Sequence, residues 1–383
     1  MPLNVFFKIM QGFLTIVCFD SIIWSEYLYM SRGRKMEKKK IAVAMSGGVD
    51  SSLTAALLKE QGHEVIGITM ELSDCSAGAI QDAKAVADFL AIPHYVANFR
   101  ELFQQKVIDY FLAEYGRGRT PNPCVACNPN VKFGGLIGRA KELGCDYLAT
   151  GHYAQIGYNE ATGRYDISKG TDDHKDQAYA LYRLTQEQLA HIMTPLGGWV
   201  KTDTRREAAV RNLPVANKPE SQEICFVPDN YKDYLLEHRP DLCKKGDIVD
   251  TEGHVLGTHQ GIVQYTVGQR KGLGIAAEEP LYVIALDAEK NQVIVGNNSQ
   301  VFAKGLIADK LNWVAIDNLR EPMEAKVKIR YGAREAAATL YPQEDGKVKV
   351  EFREPVRAIT PGQSAVFYID QRVLGGGIIE GGF

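Results

Sequence analysis

Between residue 40 and about residue 225, short apolar runs alternate with segments whose apolar positions recur at helical spacing. The runs IAVAM (41–45) and EVIGITM (64–70) are typical of buried parallel strands, which are covered on both faces. Residues 51–62 and 79–92 place apolar side chains on one face of a helix. Strands separated by helices of this length predict βαβ units and a doubly wound, mostly parallel sheet, an α/β fold. Ligands bind such sheets at the carboxyl ends of the strands.

The apolar period changes to two in the last quarter of the chain. AKVKIRY (325–331) alternates apolar with basic side chains, and KVKVEF (347–352) follows the turn dipeptide Asp345-Gly346. PLYVIAL (280–286) and QVIVG (292–296) flank a short polar turn in the same manner. This pattern predicts an antiparallel β module, which we interpret as a small barrel.

Three domains are therefore expected in the 383-residue chain. They are a catalytic α/β domain at 36–225, a small central domain rich in Gly, Lys and Asp at 226–280, and a C-terminal β-barrel at 281–383. The chain is 45% hydrophobic and 24% charged, which excludes a disordered, collagen-like or coiled-coil protein. The net charge of −3 gives no general attraction to nucleic acid, so an RNA partner would need local basic patches.

Residues 1–35 are interpreted as a leader of doubtful status, with folding expected to begin near Met36. The apolar stretch 9–24 contains Gln11 and Asp20, and its uninterrupted part is shorter than the roughly 20 residues of a membrane span. No basic region precedes it and no signal-type cleavage site follows it. A translated upstream leader or a misassigned start is the preferred interpretation, and a membrane or partner-binding anchor is the alternative.

A glycine-rich loop, Ser46-Gly47-Gly48-Val49-Asp50-Ser51-Ser52, lies directly between a predicted strand and a predicted helix. Its glycines permit close backbone approach, and the helix that follows offers free N–H groups to an anion. Its serine hydroxyls would add donors. The Walker lysine is missing, so the loop is not an ordinary P-loop. Asp50 would hold a metal ion or end the loop, and the alternative for the whole segment is a plain helix-capping turn.

This loop resembles the pyrophosphate loop, SGGxDSS, of the N-type ATP pyrophosphatases. Members of that superfamily split ATP into AMP and pyrophosphate to activate an oxygen. The resemblance implies ATP and Mg²⁺ as cofactors, with no residues assigned as metal ligands. It implies nucleotide contacts from the loop, from the end of the second strand and from a later glycine, namely Ala44, Met45, Ser46, Gly47, Gly48, Val49, Asp50, Ser51, Met70 and Gly151. Met70 is nearly as well explained as a core methionine.

Five further motifs follow in order along the chain. They are TPNPCVACN (120–128), ATGHY (149–153), KDQ (175–177), SQEICF (221–226) and GQRKGLG (268–274). Together with the loop, they resemble the tRNA-specific 2-thiouridylase (MnmA) family from about residue 40 to the C-terminus. The resemblance implies adenylation of the C2 oxygen of wobble uridine 34, followed by its replacement with sulfur to give 2-thiouridine, AMP and pyrophosphate.

Seven cysteines are too sparse for a disulfide scaffold and favour an intracellular protein, which we place in the cytoplasm. A cysteine persulfide is a suitable sulfur nucleophile, and a second cysteine can release the sulfur or resolve the spent thiol as a disulfide. By resemblance, Cys127 is the nucleophile and Cys225 carries the persulfide, with an alternating disulfide between them. From sequence alone, Cys225 could equally be a core residue, and a small buried side chain is the alternative for Cys127. A cysteine desulfurase or sulfur-relay protein is the implied persulfide donor.

One departure from the family pattern concerns Cys124, where many members carry aspartate. With Cys124, Cys127 and Cys225, the chain could offer three thiolates to a [4Fe–4S] cluster with one open iron. That alternative would keep the overall reaction and replace the persulfide route. A zinc site would need a fourth protein ligand that we cannot assign.

The resemblance also implies a tRNA-binding surface. Its residues are Asn122, Pro123, Cys124, His152, Lys175, Asp176, Gln177, Arg330, Tyr331 and Gln363. The alternatives are a strand-end histidine for His152 and a solvated strand face for Lys326 and Lys328, which precede Arg330 on the same predicted strand. Two other functions stay open: an amidating ATP pyrophosphatase, which would have no use for the two cysteines, and a noncatalytic iron–sulfur or RNA-binding module, which would have no use for the loop.

Overall fold

The structure is a computed structural model that describes residues 37–220, 224–227 and 230–383. The predicted leader lies outside these residues, and so does the first half of the motif at 221–226. None of the described helices is long and apolar enough to span a membrane.

A five-stranded parallel sheet forms the centre of the catalytic region, in the order β3-β2-β1-β4-β7. Its strands are β1 (Lys40–Ala44), β2 (Glu64–Glu71), β3 (His94–Asn98), β4 (Tyr147–Ala149) and β7 (Ile192–Met193). Side chains alternate between its faces, so that Ile41 and Val43 join one buried cluster and Ala42 joins another. Since helices cover both clusters, the predicted doubly wound parallel sheet is confirmed.

Ten α-helices lie within the described residues. They are α1 (Val49–Glu60), α2 (Ala77–Phe89), α3 (Arg100–Phe103), α4 (Asp109–Gly116), α5 (Pro123–Cys127), α6 (Leu136–Glu142), α7 (Ala178–Leu181), α8 (Gln186–Leu189), α9 (Lys201–Val210) and α10 (Tyr231–His238). Two π-helical segments, Gln104–Ile108 and Asn128–Gly135, continue α3 and α5, and four short 3₁₀ turns cover Asp74–Ser76, Pro240–Leu242, Ile262–Gln264 and Asn298–Val301.

The C-terminal strands form the predicted barrel. They are β12 (Phe302–Trp313), β13 (Met323–Lys328), β14 (Ala336–Pro342), β15 (Val348–Arg357), β16 (Ser364–Ile369) and β17 (Arg372–Gly382). All neighbours are antiparallel, and the pairing of β12 with both β15 and β17 closes the ring. Val327, Val350 and Phe367 belong to the buried cluster inside it. A hairpin of the catalytic region, β5 (Ala154–Asn159) and β6 (Arg164–Lys169), extends the barrel sheet by pairing Ser168 with Arg372.

A separate four-stranded sheet has the order β10-β11-β8-β9. Its strands are β8 (Gly246–Val249), β9 (Val255–His259), β10 (Tyr282–Asp287) and β11 (Gln292–Gly296). We expected the last two in the C-terminal module, but β11 pairs with β8 instead. Alternation of apolar and polar residues identifies a strand but not the strand that it pairs with. The pattern therefore could not show that β10 and β11 belong to the central sheet. We therefore propose that the central domain extends to Gly296 rather than to residue 280.

Candidate active site

The glycine-rich loop follows β1, and Gly151 follows β4, the strand beside β1. From β1 the chain runs outward through β2 and β3, then returns to β4 on the other side. The strand order therefore reverses between β1 and β4, and ligands of open α/β sheets bind at such a switch point. Topology alone brings the two predicted nucleotide-binding segments to one crevice.

Gly47 gives the loop its shape. Its φ is +67°, and a Cβ at this position would lie 2.6 Å from the carbonyl oxygen of Ala79 and 2.9 Å from Cβ of Asp82. Gly48 is the N-cap of α1 in an extended conformation, and no side chain caps this helix end. The first N–H groups of a helix have no intrahelical partner and favour an anion. The loop thus has the backbone that a phosphate site requires.

The serines of the loop are used differently from what we expected. The Ser52 hydroxyl is buried and donates to the carbonyl of Gly48 at 2.8 Å, and the Ser51 hydroxyl donates to the same carbonyl at 3.2 Å. Ser51 Oγ also accepts the backbone N–H of Ser46 at 3.2 Å. Ser51 and Ser52 therefore hold the loop closed, and Ser46 alone among the three is exposed.

The other predicted nucleotide residues surround the loop. A Cβ on Gly151 would lie 2.8 Å from the backbone of Asp50 and Ser51, so Gly151 packs directly on the start of α1. Met45 and Val49 are buried beneath the loop. Ala44 and Met70 are half-buried and pack against apolar clusters, which leaves both core and nucleotide contact open for Met70.

Asp50 accepts bonds from two side chains that the sequence reasoning missed. Lys201, at the start of α9, donates to its two carboxylate oxygens at 2.6 and 2.7 Å. The Tyr153 hydroxyl donates to Oδ1 at 2.9 Å. Lys201 also lies 3.3 Å from Glu220, whose pKa the hydrogen bond from Lys175, together with Lys201, lowers to about 2. Tyr153 stands in the predicted ATGHY motif, whereas Lys201 lies 151 residues from Asp50 and carries no local signal.

The cysteine motif is the start of a helix. Asn122 is the N-cap of α5, its side chain accepting the N–H of Cys124 at 3.0 Å, and Pro123 fills the first helical position. Both choices are typical of a helix N-terminus. The chain then continues as a π-helix from Asn128. Asn122 and Pro123 thus set the direction of α5, while Cys124 faces solvent.

Cys127 and Cys225 lie close enough for the charge of Cys127 to act on the Cys225 thiol. Cys225 is exposed although Phe226 beside it is buried among the rings of Phe103 and Phe111. Protein atoms nevertheless surround the sulfur, and this desolvation, with the charges of Cys127 and Cys124, raises its pKa to about 12.

Burial likewise raises the pKa of half-exposed Cys127, against the opposing charge of Lys132, another residue that the sequence reasoning missed. Both thiols are therefore mainly neutral near pH 7.

All six described cysteines are free thiols. Within the described residues, the single group of three or more His, Cys, Asp or Glu ligand atoms within 4.8 Å of one another is Asp250, Glu252 and His254, on an exposed turn. The sulfurs of Cys124, Cys127 and Cys225 do not converge to that spacing, so they do not form a mononuclear metal site as placed.

His152 directly follows Gly151, and the charge of Lys132 acts on both His152 and Cys127. Its Nδ1 is 2.8 Å from the Thr150 hydroxyl, and its ring is 5.6 Å from that of Phe133. Burial, reinforced by the charge of Lys132, lowers its pKa well below the usual value. A neutral imidazole fits either a strand-end packing role or contact with an uncharged base.

The side chains of the predicted KDQ segment bond mostly to other groups of the protein. Asp176 is buried and accepts the backbone N–H groups of Gly170 and Ala178, each at 3.1 Å. The side chain of Gln177 accepts the N–H of Tyr153 at 2.9 Å. Lys175 pairs with Glu220 at 2.7 Å and stays partly exposed. Of the three, Lys175 has the side chain best placed to meet RNA.

The barrel contributes two of the predicted tRNA-binding residues. Arg330 and Tyr331 are exposed just after β13, and the Tyr331 ring meets Tyr179 edge-on at 6.1 Å. Burial and the nearby charge of Asp176 raise the Tyr331 pKa, to which Cys124 also contributes. Tyr331 therefore lies near both the KDQ segment and the exposed thiol of Cys124.

Comparisons with known proteins agree with this geometry. A family model described as the tRNA methyl transferase HUP domain matches residues 39–229. Models for the tRNA methyl transferase PRC-barrel domain and the aminomethyltransferase beta-barrel domain match 232–297 and 303–379. The tRNA-specific 2-thiouridylase MnmA of Acetivibrio thermocellus is 52% identical over 359 residues, which span 90% of this chain and 100% of that protein.

The chain belongs to the tRNA-specific 2-thiouridylase family. The enzyme of that name from Clostridioides difficile is also similar, at 49% identity over 89% of this chain and 98% of that protein. Among solved structures, a 4-thiouridine synthetase in complex with RNA and ATP is 19% identical, with a TM-score of 0.32 over 53% of this chain and 51% of that chain, a likeness too slight to support an argument. The family resemblance predicted from the motifs is confirmed.

Proposed function

We propose that this protein is a tRNA 2-thiouridylase that adenylates the C2 oxygen of wobble uridine 34 and replaces it with sulfur. The proposal rests on the proximity of a phosphate-binding loop and a pair of cysteines. An anion-binding loop without a Walker lysine follows β1, and Gly151 packs on the start of the helix after it. The charge of Lys132 acts on the pKa of both His152, the residue after Gly151, and Cys127, and Cys127 in turn acts on the pKa of Cys225. A phosphate-binding loop alone would serve any ATP pyrophosphatase, but only sulfur transfer has a use for both thiols.

The first step activates an oxygen. The C2 oxygen of the uridine attacks the α-phosphorus of ATP, the bond between the α- and β-phosphates breaks, and pyrophosphate leaves. Mg²⁺ would balance phosphate charge, and Asp50, the loop carboxylate, is the residue that fits this ion together with the phosphates. The loop N–H groups and Gly151 would hold and orient the nucleotide.

The second step transfers sulfur. The terminal sulfur of a persulfide on Cys225 attacks C2 and AMP leaves. Cys127 then attacks Sγ of Cys225, the persulfide S–S bond breaks, and the sulfur remains on C2 as 2-thiouridine. The two protein sulfurs are left as a disulfide, which a dithiol reductant must reduce with two electrons. A cysteine desulfurase or relay protein supplies the persulfide, in the cytoplasm, where thiols stay reduced.

For RNA binding we propose the surface formed by Lys175, Arg330 and Tyr331, together with His152. Lys and Arg contact phosphate, and an exposed Tyr stacks on an unpaired base. The uridine must leave the base stack of the anticodon loop to reach the thiols of Cys127 and Cys225. Asn122, Asp176, Gln177 and Gln363 have side chains bonded within the protein, so we assign them positioning roles.

The test uses protein purified without oxygen. Its iron and acid-labile sulfide are assayed, and unmodified tRNA is then incubated with ATP, Mg²⁺ and a persulfide donor. Thiolation by iron-free protein, lost in Cys127→Ala and Cys225→Ala but kept in Cys75→Ala, is the expected result. Activity that follows bound iron and also requires Cys124 would replace the persulfide route by a [4Fe–4S] cluster. ATP cleavage without thiolation in either state would overturn the proposed function.

A further inference from the structure

The loop lacks the lysine with which an ordinary P-loop binds phosphate, yet a lysine amine lies beside it. Lys201 reaches in from the first position of α9 and contacts both carboxylate oxygens of Asp50. Asp50 stands in the first turn of α1, next to the helix end where an anion would bind. Lys201 therefore supplies, from a distant part of the chain, the positive charge that the loop sequence lacks.

Lys201 is unusually enclosed for a lysine. Its side chain is 10% exposed, and the amine lies 5.5 Å from the centre of the Tyr153 ring. Burying an unpaired ammonium is very unfavourable, so the amine requires its two carboxylate partners, Asp50 and Glu220. Asp50 is less enclosed, with 31% of its side chain exposed, and it opens the pair to the crevice.

The two partners of Lys201 are unequal once a nucleotide binds. If Asp50 turns to Mg²⁺, as proposed above, Lys201 loses that partner and keeps Glu220. The Lys201 amine would then lie closest to the phosphates bound at the N-terminus of α1. Glu220 itself is held by Lys175 and Arg205, at 2.7 and 3.2 Å, so it can keep the amine in place during this exchange.

We propose that Lys201 contacts the ATP phosphates and takes the part of the absent P-loop lysine, exchanging Asp50 for phosphate when nucleotide binds. This inference rests on the proposed function only in taking ATP as the nucleotide of the loop. The competing role is purely structural, in which Lys201 serves as the counter-ion of Asp50. The two roles differ in what happens when Asp50 no longer needs a counter-ion.

The experiment compares Lys201→Met, Asp50→Asn and the double variant, with Arg206→Gln as the matched control. Arg206 lies on the same helix as Lys201 and pairs with Asp203 and Glu207 rather than with Glu220. Affinity for a nonhydrolysable ATP analogue, with and without Mg²⁺, is measured by calorimetry, beside tRNA affinity and the kcat and KM for AMP formation. Lys201→Gln, which keeps most of the stem, replaces Lys201→Met if the latter does not fold.

Lys201→Met should lower kcat/KM for ATP by about 100-fold, the usual effect of losing one donor to a developing charge. It should weaken analogue binding and leave tRNA affinity within about twofold, and Arg206→Gln should change neither. In the Asp50→Asn background the Lys201 substitution should still reduce analogue affinity by about tenfold. No further loss in that background, or no loss in the single variant, would overturn the inference. A wild-type protein that makes no AMP would overturn the proposed function, while the binding measurements would still decide the role of Lys201.

Discussion

The side-chain amide of Gln363 donates a hydrogen bond of 2.8 Å to the backbone carbonyl of Thr120. The N–H of Thr120 in turn donates to the carbonyl of Pro361 at 2.9 Å. Nearby, Arg119 bonds Glu114 on its own side and Glu380 on the barrel. These contacts fasten a turn of the barrel to Arg119 and Thr120, so the barrel helps to hold in place the segment that leads into α5.

Gln363→Ala should therefore act on sulfur transfer through the position of the cysteine helix. One neutral hydrogen bond contributes about 1 kcal/mol, so we expect the single-turnover thiolation rate to fall by about fivefold. Affinity for tRNA should stay within about twofold, as measured by filter binding. Gln343→Ala, an exposed barrel glutamine, is the control. If Gln363 contacts RNA directly, tRNA affinity would fall instead and the rate at saturating tRNA would not change.

The two loop glycines should respond differently to alanine. In Gly47→Ala the new Cβ would meet the backbone of Ala79 in a left-handed conformation, so the free protein should lose stability and ATP-dependent activity together. In Gly48→Ala the backbone is ordinary and the nearest atom is Ser46 Oγ at 3.3 Å, so the melting temperature should be nearly unchanged. A raised KM for ATP in Gly48→Ala would place the phosphates against it. Equal melting temperatures for both variants would contradict the assigned strain.

Gly151→Ala should separate β4 from the loop. Three atoms of Asp50 and Ser51 lie 2.8 Å from its would-be Cβ, and two of them are backbone, so the start of α1 must shift. We expect KM for ATP to rise and the melting temperature to fall. Gly138→Ala on α6 is the matched control, because a Cβ there meets nothing within 4 Å and alanine favours a helix by about 1 kcal/mol. A Gly151→Ala protein with normal melting and normal KM would refute the packing of Gly151 on Asp50.

Local chemistry in this chain could be predicted from sequence. The loop at 46–52 combines turn, helix start and anion site within seven residues, and the Asn122-Pro123 pair identifies the beginning of a helix without reference to distant residues. The parallel sheet followed from the spacing of strands and helices.

Long-range pairing could not be predicted in this way. The Lys201–Asp50 pair joins residues 151 positions apart, and nothing in the neighbourhood of Lys201 distinguishes it from a surface lysine. The hairpin at 282–296 was correctly identified as strands and assigned to the wrong sheet, since periodicity gives orientation and not partner. Asp176 was expected to face RNA, but the tertiary fold buries it as a backbone acceptor.

The thiols should be slow to alkylate in the free protein. Only the thiolate reacts, and desolvation raises the pKa of Cys225 to about 12, so little of this thiol is ionised at pH 8. The iodoacetamide rate at Cys225, followed by peptide mass spectrometry, should rise about tenfold per pH unit between pH 7 and 10 without levelling. Levelling below pH 9 would show that the thiol is not desolvated.

A second prediction about alkylation concerns Cys127 and its neighbour Lys132. Lys132 opposes the effect of burial on the Cys127 pKa, so Lys132→Met should raise that pKa further and slow alkylation at pH 8. Lys84→Met, on α2 and paired with Asp88, should leave the rate unchanged. Equal rates in both variants would mean that Lys132 does not assist the thiolate. If the difference is found, Lys132 favours the Cys127 thiolate against the effect of burial, and a reactive thiolate is what a sulfur nucleophile requires.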